Sequence, residues 1–453
     1  MEEGGAESKA TPTNRRALLV AYYWPPAGGP GVQRWLKFAK YLRHCGWDLT
    51  VIAPSGAAYP VLDPSLESDV PDDIEVHHVP IFEPYETAMK LMPSKSSERL
   101  GSGGGQESLS SRILRWLRGN VLLPDPRVLW RKRAVRAGKQ RVRQAIEQGA
   151  PLEAIITTGP PHSVHLIGLD LKRATGLPWL ADFRDLWREM DYLEDFLPTQ
   201  RTRNRHESME RDVVKEADLI TITSPSVRAS LAIHLPEAAL DKCHLIYNGW
   251  DEADVPAKLS EPKGSSSHNP GTFRLGHFGS LFPTRNAPGL WKAIRQWNAN
   301  DSERPIHLDM VGKISPPVLD SMKAHLHTTD WTDHGYLPHQ DAVRMMADMD
   351  ALLLIQNDNT TGQRAIPGKA FEYLGMGKPI ATMAPQPSDL HDLITEWGMS
   401  TCIHGDANAA MQMLQNLMSP SETPKELAQR YTRPTLSGEM AELLNGMVHP
   451  TAH

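Results

Sequence analysis

"RALLVAYYWPPAGGPGVQRWLKFAKYLRHCGWDLTVIAP", residues 16–54, is the stretch whose reading decides the fold. "RALLVAYYW" is an apolar run of strand length, "PPAGGPG" (25–31) carries turn chemistry, and "VQRWLKFAKYLRHCGW" has helical periodicity. Val32, Trp35 with Leu36, Ala39 and Leu42 share one face of that helix. "DLTVIAP" follows as a second buried strand. Two sequential apolar strands joined by an amphipathic helix predict a βαβ unit in a parallel sheet covered on both faces.

Working outward, the pattern weakens after Pro54 and passes through the Ser/Gly-rich "PSKSSERLGSGGGQESLSS", expected to be a mobile loop at about 92–111. It resumes with strands in "EAIITTG", "LPWLADFRDLW", "ADLITITSP" and "CHLIYNG", then breaks again in "EADVPAKLSEPKGSSSHNPGT". A second alternating unit begins at "FRLGHFGS", with further strands in "HLDMVG", "ALLLIQ", "KPIATMA" and "STCIH". The predicted class is α/β, with two Rossmann-like, doubly wound parallel-sheet domains facing each other across a cleft. Ligands are expected at the carboxyl ends of the strands. The expected order is a disordered 1–14, a first domain 15–252, a linker 253–272, a second domain 273–424, and a helix in 425–453 crossing back to the first domain. No internal repeat is visible.

Bulk properties agree. A chain of 453 residues exceeds what one core usually supports. Three scattered cysteines form no C-x-x-C pair and fit a reducing compartment. The first residues, "MEEGGAESKATPTNRR", contain no apolar signal core, and no apolar run reaches spanning length, so a cytoplasmic location is expected. The net charge of −6 gives no nucleic-acid signature. Yet residues 112–143 hold eleven Lys/Arg against the single acid Asp125, with Trp116, Leu117, Val121, Leu122, Leu123 and Trp130 interleaved. That segment reads either as the solvated face of a long helix or as a patch for peripheral contact with anionic lipid.

Several motifs sit where strands end. "AGGPG" (Gly28, Gly29, Gly31) fails the G-x-G-x-x-G spacing, which leaves a close-approach turn at a helix start, suited to an anion or a sugar, or simply a tight βα turn. "FGSLFPTRN" repeats that architecture, with Gly279 and Ser280 ending a strand and Arg285 placed to reach a diphosphate. "PWLADFRDLW" gathers Asp182, Arg184 and Asp185, either a site or a structural ion-pair cluster. "GPPHSVHLIG" adds His162 and His165 at a helix start. The D-x-D of Asp348 and Asp350 precedes a strand, at its amino end, and is not a metal site; no cluster has metal-ligand spacing.

Together, "WPP-GG-GVQR-LKF-KYL", "PW-ADFRD-W" and "K-FEYL--GKPI" make the chain, from about Arg16 to about Leu444, resemble the retaining family 4 glycosyltransferases of the GT-B fold. The resemblance implies a nucleotide-diphosphate sugar donor, UDP- or GDP-linked, a glycan or lipid-linked acceptor in cell-surface or exopolysaccharide synthesis, and retention of configuration. No cofactor or metal is implied. It makes Arg285 and Lys369 the catalytic cations, with Asp182 and Asp185 of the acceptor side as further catalytic candidates. Gly279, Ser280, Arg364, Pro367, Gly368 and Glu372 would bind the donor, Glu372 accepting the ribose hydroxyls and amides near Gly279 helping the diphosphate. Gly28, Gly29, Gly31, His162, His165 and Arg184 would line the acceptor or phosphate loop. "NG-D" (Asn248, Gly249, Asp251) reads as a structural turn. One departure stands out. The family commonly has a second glutamate eight positions before Glu372, where this chain has Arg364, an exchange expected to favour an acidic sugar. The alternatives are a non-catalytic sugar-nucleotide-binding subunit of a polysaccharide assembly complex and a GT-B sugar-nucleotide epimerase. Oligomeric state is not encoded in any motif.

Overall fold

The computed structural model describes residues 14–83, 109–189, 192–255, 271–300, 304–419 and 425–449. The expected disordered N-terminus and most of the expected loop at 92–111 and linker at 253–272 lie outside the described residues.

Two sheets organise the chain. The first has the order β3-β2-β1-β4-β5-β6-β7, built from β1 (Arg15–Ala21), β2 (Trp47–Ser55), β3 (Glu75–Pro80), β4 (Ala154–Gly159), β5 (Trp179–Phe183), β6 (Leu219–Ile222) and β7 (Cys243–Leu245). The second has the order β10-β9-β8-β11-β12-β13, from β8 (Phe273–Phe278), β9 (Ile306–Val311), β10 (Trp331–Asp333), β11 (Ala351–Ile355), β12 (Ile380–Met383) and β13 (Thr401–Cys402). Strands pair in parallel throughout the second sheet, and β1 pairs in parallel with both β2 and β4. Each sheet steps outward from its first strand and then reverses, the doubly wound order whose reversal point lies beside β1 in one and β8 in the other.

The opening stretch folds as its pattern dictates. The helix Pro30–Leu42 buries Val32, Trp35, Leu36, Ala39 and Leu42, and residues 17–21 of β1 are fully covered. Two strands escaped the sequence reading, β3 and β10. Both are sheet edges with largely solvated side chains, so neither shows the continuous apolar run of a central strand.

By compactness the chain groups into two units, one comprising Met1–Asp182, Phe196–Ile220 and Ser437–His453, the other Phe183–Asp195 and Thr221–Leu436. The segments 183–195 and 221–252, expected in the first domain, therefore group with the second unit. The last helix, Arg433–Val448, enters the first unit at Ser437, where Asn445 Oδ1 accepts hydrogen bonds from Trp47 Nε1 and Arg15, each at 3.1 Å. Among the described residues no helix is long and apolar enough to cross a membrane.

The basic stretch 112–143 divides into a helix Leu109–Asn120, a short 3-10 turn Pro126–Trp130, and a helix Arg131–Glu147. Much of its later part is structural, although Lys132, Arg133, Arg136 and Arg143 stay exposed. Trp130 is fully buried and donates from Nε1 to Val79 O at 3.1 Å. Arg127 pairs with Glu83 at 3.1 Å, Arg131 with Asp170 at 2.7 Å and Arg141 with Glu75 at 2.6 Å. Of the apolar side chains in the stretch expected to face lipid, Ile113, Trp116, Leu117 and Val121 are exposed in and just after the first helix and Leu129 in the 3-10 turn, while Trp130 is buried.

Candidate functional site

The second unit carries the site, and the loops after β8 and β11 build it. These two strands are neighbours across the reversal point, where parallel α/β sheets open a crevice. Arg285 ends the single turn Pro283–Arg285 and donates from Nε to Asn357 Oδ1 at 2.8 Å and from its guanidinium to Ser280 O at 3.2 Å. Thr284 Oγ1 donates to the same Asn357 oxygen at 3.2 Å, and Asp358 N–H to Thr284 O at 2.6 Å. The two loops are thus stitched together, with the arginine held by neutral acceptors alone.

Lys369 lies in the first turn of the helix Gly368–Gly375, whose N-cap Pro367 offers no side-chain cap and whose first turn contains no acid. The first N–H groups of a helix have no partner within it, so Gly368 and Lys369 present bare donors and the positive end of the helix dipole. The Lys369 ammonium donates to Phe278 O, at the end of β8. Gly279, with φ +151°, permits this approach: a Cβ there would strike Lys369 Nζ, and L side chains rarely adopt that φ. Behind the helix, Phe371 and Leu374 are fully buried, Phe371 packing on Tyr247, Tyr431 and Trp397 with ring centroids 5.4, 5.4 and 5.8 Å away.

Electrostatics mark the place. Burial pushes the Lys369 pKa down and nearby Arg285 adds to this, while Glu372 opposes. Burial also lowers that of Arg285. His277 is pushed down to about 3 by burial and the Lys369 and Arg285 charges, so it is neutral, its Nδ1 donating to Leu353 O at 2.9 Å. Neither cation has a carboxylate within ion-pair distance among the described residues. Glu372 is half-buried on the same helix, and its carboxylate makes no hydrogen bond among the described residues. Two partly desolvated cations and bare helix N–H groups converging on one spot are chemically suited to a polyanion such as a diphosphate.

The expected donor residues Gly279, Ser280, Arg285, Pro367, Gly368, Lys369 and Glu372 lie on the loops after β8 and β11 and the helix start that follows, with two corrections. The Gly279 N–H extends the β8–β9 ladder to Val311 O at 2.7 Å and is not offered to a ligand. Arg364 also differs from expectation. Its guanidinium is ion-paired with Glu189, which removes the unpaired positive charge that would select an acidic sugar. The sequence reading also missed Asn357, Glu189 and Gln356. The last is buried and holds the approach to the helix by donating from Nε2 to Gly362 O at 3.2 Å and Ala365 O at 2.7 Å. A glutamine directly after an apolar strand is the one signal that sequence offered for it.

The first unit corrects several acceptor-side expectations. Asp182 is fully buried; its oxygens accept from Arg34 at 2.9 and 3.2 Å, Trp35 Nε1 at 2.6 Å and Thr158 Oγ1 at 2.9 Å. It is an internal anion without exposed surface, so the catalytic assignment gives way to the structural ion-pair reading. His165 is fully buried with Nδ1 3.0 Å from Thr157 Oγ1, and His162 is buried too. The helix they begin, Ser163–Thr175, is already capped: Asp125 accepts from Ser163 N–H at 2.9 Å and Oγ at 2.8 Å. Burial raises the Asp125 pKa, and these same hydrogen bonds oppose the rise. A phosphate at this helix start would meet a carboxylate already there. Gly28 N–H donates to Val61 O at 2.9 Å beside the antiparallel bridge of Ala27 with Leu62, so that N–H is not offered to an anion. Gly29, at φ +87°, is the exposed N-cap of the helix Pro30–Leu42, with Gly31 in its first turn. In the second unit, Arg184 and Asp185 are half-buried after β5, Arg184 O accepting from Thr223 Oγ1 at 2.7 Å. Asp350 accepts from Arg274 N–H at 2.8 Å and Arg304 at 2.7 Å at the amino end of β11, a structural role.

Residues 28–249 match the family described as a glycosyl transferase 4-like domain. No curated protein matches the sequence. Among solved structures, HepE from Anabaena in complex with UDP and glucose is similar at 15% identity and a TM-score of 0.55, over 95% of this chain and 99% of that one. A glycosyltransferase from Rickettsia africae is similar at 13% identity and a TM-score of 0.59, over 97% and 100%. A putative UDP-N-acetylglucosamine 2-epimerase from Listeria monocytogenes is similar at 12% identity and a TM-score of 0.53, over 97% and 98%.

Proposed function

Residues 28–249 belong to the glycosyl transferase 4-like family and the chain has the GT-B fold, and from that premise we propose that it moves a sugar from a UDP- or GDP-linked donor to a glycan or lipid-linked acceptor. The proposed role is in cell-surface or exopolysaccharide synthesis, with retention of configuration. The observation that carries this reading is the pairing of Arg285 and Lys369, two partly desolvated cations with no carboxylate partner among the described residues, at the uncapped start of the helix Gly368–Gly375. A diphosphate seated there is held by charge-assisted hydrogen bonds and by helix N–H groups. As the bond from the sugar's anomeric carbon to the diphosphate oxygen breaks, its electron pair passes to that oxygen. The cations stabilise the growing negative charge most where it is greatest, which is what a leaving-group catalyst must do. The acceptor hydroxyl adds to the same face of the anomeric carbon, and its proton goes to the departing diphosphate. Charge neutralisation by Arg285 and Lys369 makes the proposed reaction independent of metal. Glu372, on the same helix with its carboxylate unbonded, accepts the ribose hydroxyls.

HepE, solved with UDP and glucose, supports the donor class. The similarity to the epimerase favours a second reading, since that protein shares the fold. The acceptor is proposed to be reached at an anionic membrane surface through the exposed apolar residues of the helix Leu109–Asn120. The decisive experiment incubates the purified protein with UDP- and GDP-sugars, with and without candidate glycan acceptors. Release of nucleoside diphosphate and a new glycoside is expected, with Arg285→Ala lowering turnover by about 10²–10³-fold. An epimerised nucleotide sugar, or tight donor binding with no turnover, would refute the transferase reading.

A further inference from the structure

Arg364 stands three residues before the N-cap Pro367, so its Cα is within about 11 Å of the Pro367 Cα, at the helix start proposed to meet the diphosphate. One sugar attached to that diphosphate reaches this distance. The Arg364 backbone is held at both its polar groups: Arg364 O accepts from Ser224 Oγ at 2.8 Å, and Arg364 N–H donates to Thr361 O at 3.2 Å. The side chain is ion-paired with Glu189, whose Oε1 accepts from Ser230 Oγ at 3.0 Å. The two side chains remain 37% and 31% exposed, so a ligand can touch both.

This pair contrasts with the cations next to it. Arg285 and Lys369 are held by neutral acceptors and await an anion, whereas Arg364 already has one. A guanidinium matched to a carboxylate presents no net charge. It presents oriented donors beside oriented acceptors, which is the complement of a row of hydroxyl groups. A carboxylate on the ligand would meet Glu189 as a like charge.

Resting on the donor reading above, we infer that Glu189 and Arg364 form the sugar-selecting pair of the donor site and favour a neutral, hydroxyl-rich sugar over a uronate. Glu189 accepts from the sugar's hydroxyls; Arg364 donates to them and fixes the carboxylate. The acidic group at this place thus comes from the segment after β5 rather than from the loop that carries Arg364.

The test uses the full chain and calorimetric titration. Wild type is titrated with UDP and GDP, then with the neutral and uronate sugars of whichever nucleotide binds: UDP-glucose and UDP-glucuronate, or GDP-mannose and GDP-mannuronate. Glu189→Ala is expected to shift the neutral-to-uronate affinity ratio toward the uronate by about tenfold to a hundredfold, while bare nucleotide binding stays within about twofold. Glu189→Gln, which keeps the shape and removes only the charge, is expected to shift it in the same direction. The charge-swapped pair E189R/R364E is expected to recover part of the neutral preference. An unchanged ratio in both Glu189 variants, with nucleotide bound as in wild type, overturns this inference alone. Failure of wild type to bind either bare nucleotide at millimolar concentration overturns the donor reading and this inference with it.

Discussion

Gly279→Ala isolates one contact on which the candidate site depends. At φ +151° the new side chain is strained, and its Cβ would lie where the Lys369 ammonium now reaches Phe278 O. The strain costs about 1–3 kcal/mol of stability. Lysine is flexible, so its ammonium yields and the backbone does not. Its displacement removes one charge-assisted hydrogen bond from a bound diphosphate, about 1.5–3 kcal/mol or roughly 10- to 150-fold in affinity. Urea denaturation measures the first quantity, and calorimetric titration with the nucleoside diphosphate that wild type binds measures the second. Lys369→Met supplies the control. If the alanine acts by displacing this lysine, the double variant binds no more weakly than Lys369→Met alone, because the same interaction cannot be lost twice. Additive losses in that cycle, or a Gly279→Ala protein that binds nucleotide like wild type, would refute the reasoning.

Other consequences can be checked directly. Because burial and Arg285 lower the Lys369 pKa in the free protein, and a bound diphosphate must raise it, nucleotide affinity is expected to be greatest below the free-state pKa. Affinity then falls as pH rises through that pKa toward the bound-state value. Proton uptake on binding, read as a buffer-dependent heat, tests the sign, and proton release would contradict it. Asp182→Asn breaks a wholly buried ion pair with Arg34, for an expected loss of about 3–5 kcal/mol in chemical denaturation. Full stability combined with lost turnover would restore Asp182 as a catalytic residue. Trp116→Ala, at an exposed position on the helix Leu109–Asn120, is expected to weaken retention on anionic liposomes several-fold at low salt without altering nucleotide binding, as a sedimentation assay would show.

What sequence reveals here depends on whether a signal is local. The central strands and the buried face of the helix Pro30–Leu42 were legible because burial on both sides imposes long apolar runs, while the solvated edges β3 and β10 carry none. Arg285, Lys369 and Glu372 were legible because glycine, proline and charge cluster at strand ends. The partners that determine what such residues do come from far along the chain. Asp182 meets Arg34 across 148 positions, and Asp125 meets Ser163 across 38, so neither pairing leaves a local pattern. Glu189 and Arg364 illustrate the same point at the proposed sugar site, where inspecting only the neighbours of Arg364 suggests the wrong charge.

The identical winding of the two sheets has a further consequence. Each half of the molecule possesses glycine turns, a cation and helix starts at its strand ends, so nothing in the topology alone assigns nucleotide binding to one of them. The distinction comes from internal counterions. In the first unit Asp182 satisfies Arg34 and Asp125 occupies the Ser163 helix start. In the second, the corresponding cation and helix start are without such acids among the described residues. On the donor reading proposed above, a pair of aspartates and not a difference of fold separates two like scaffolds, since self-ligation would keep nucleotide from the first.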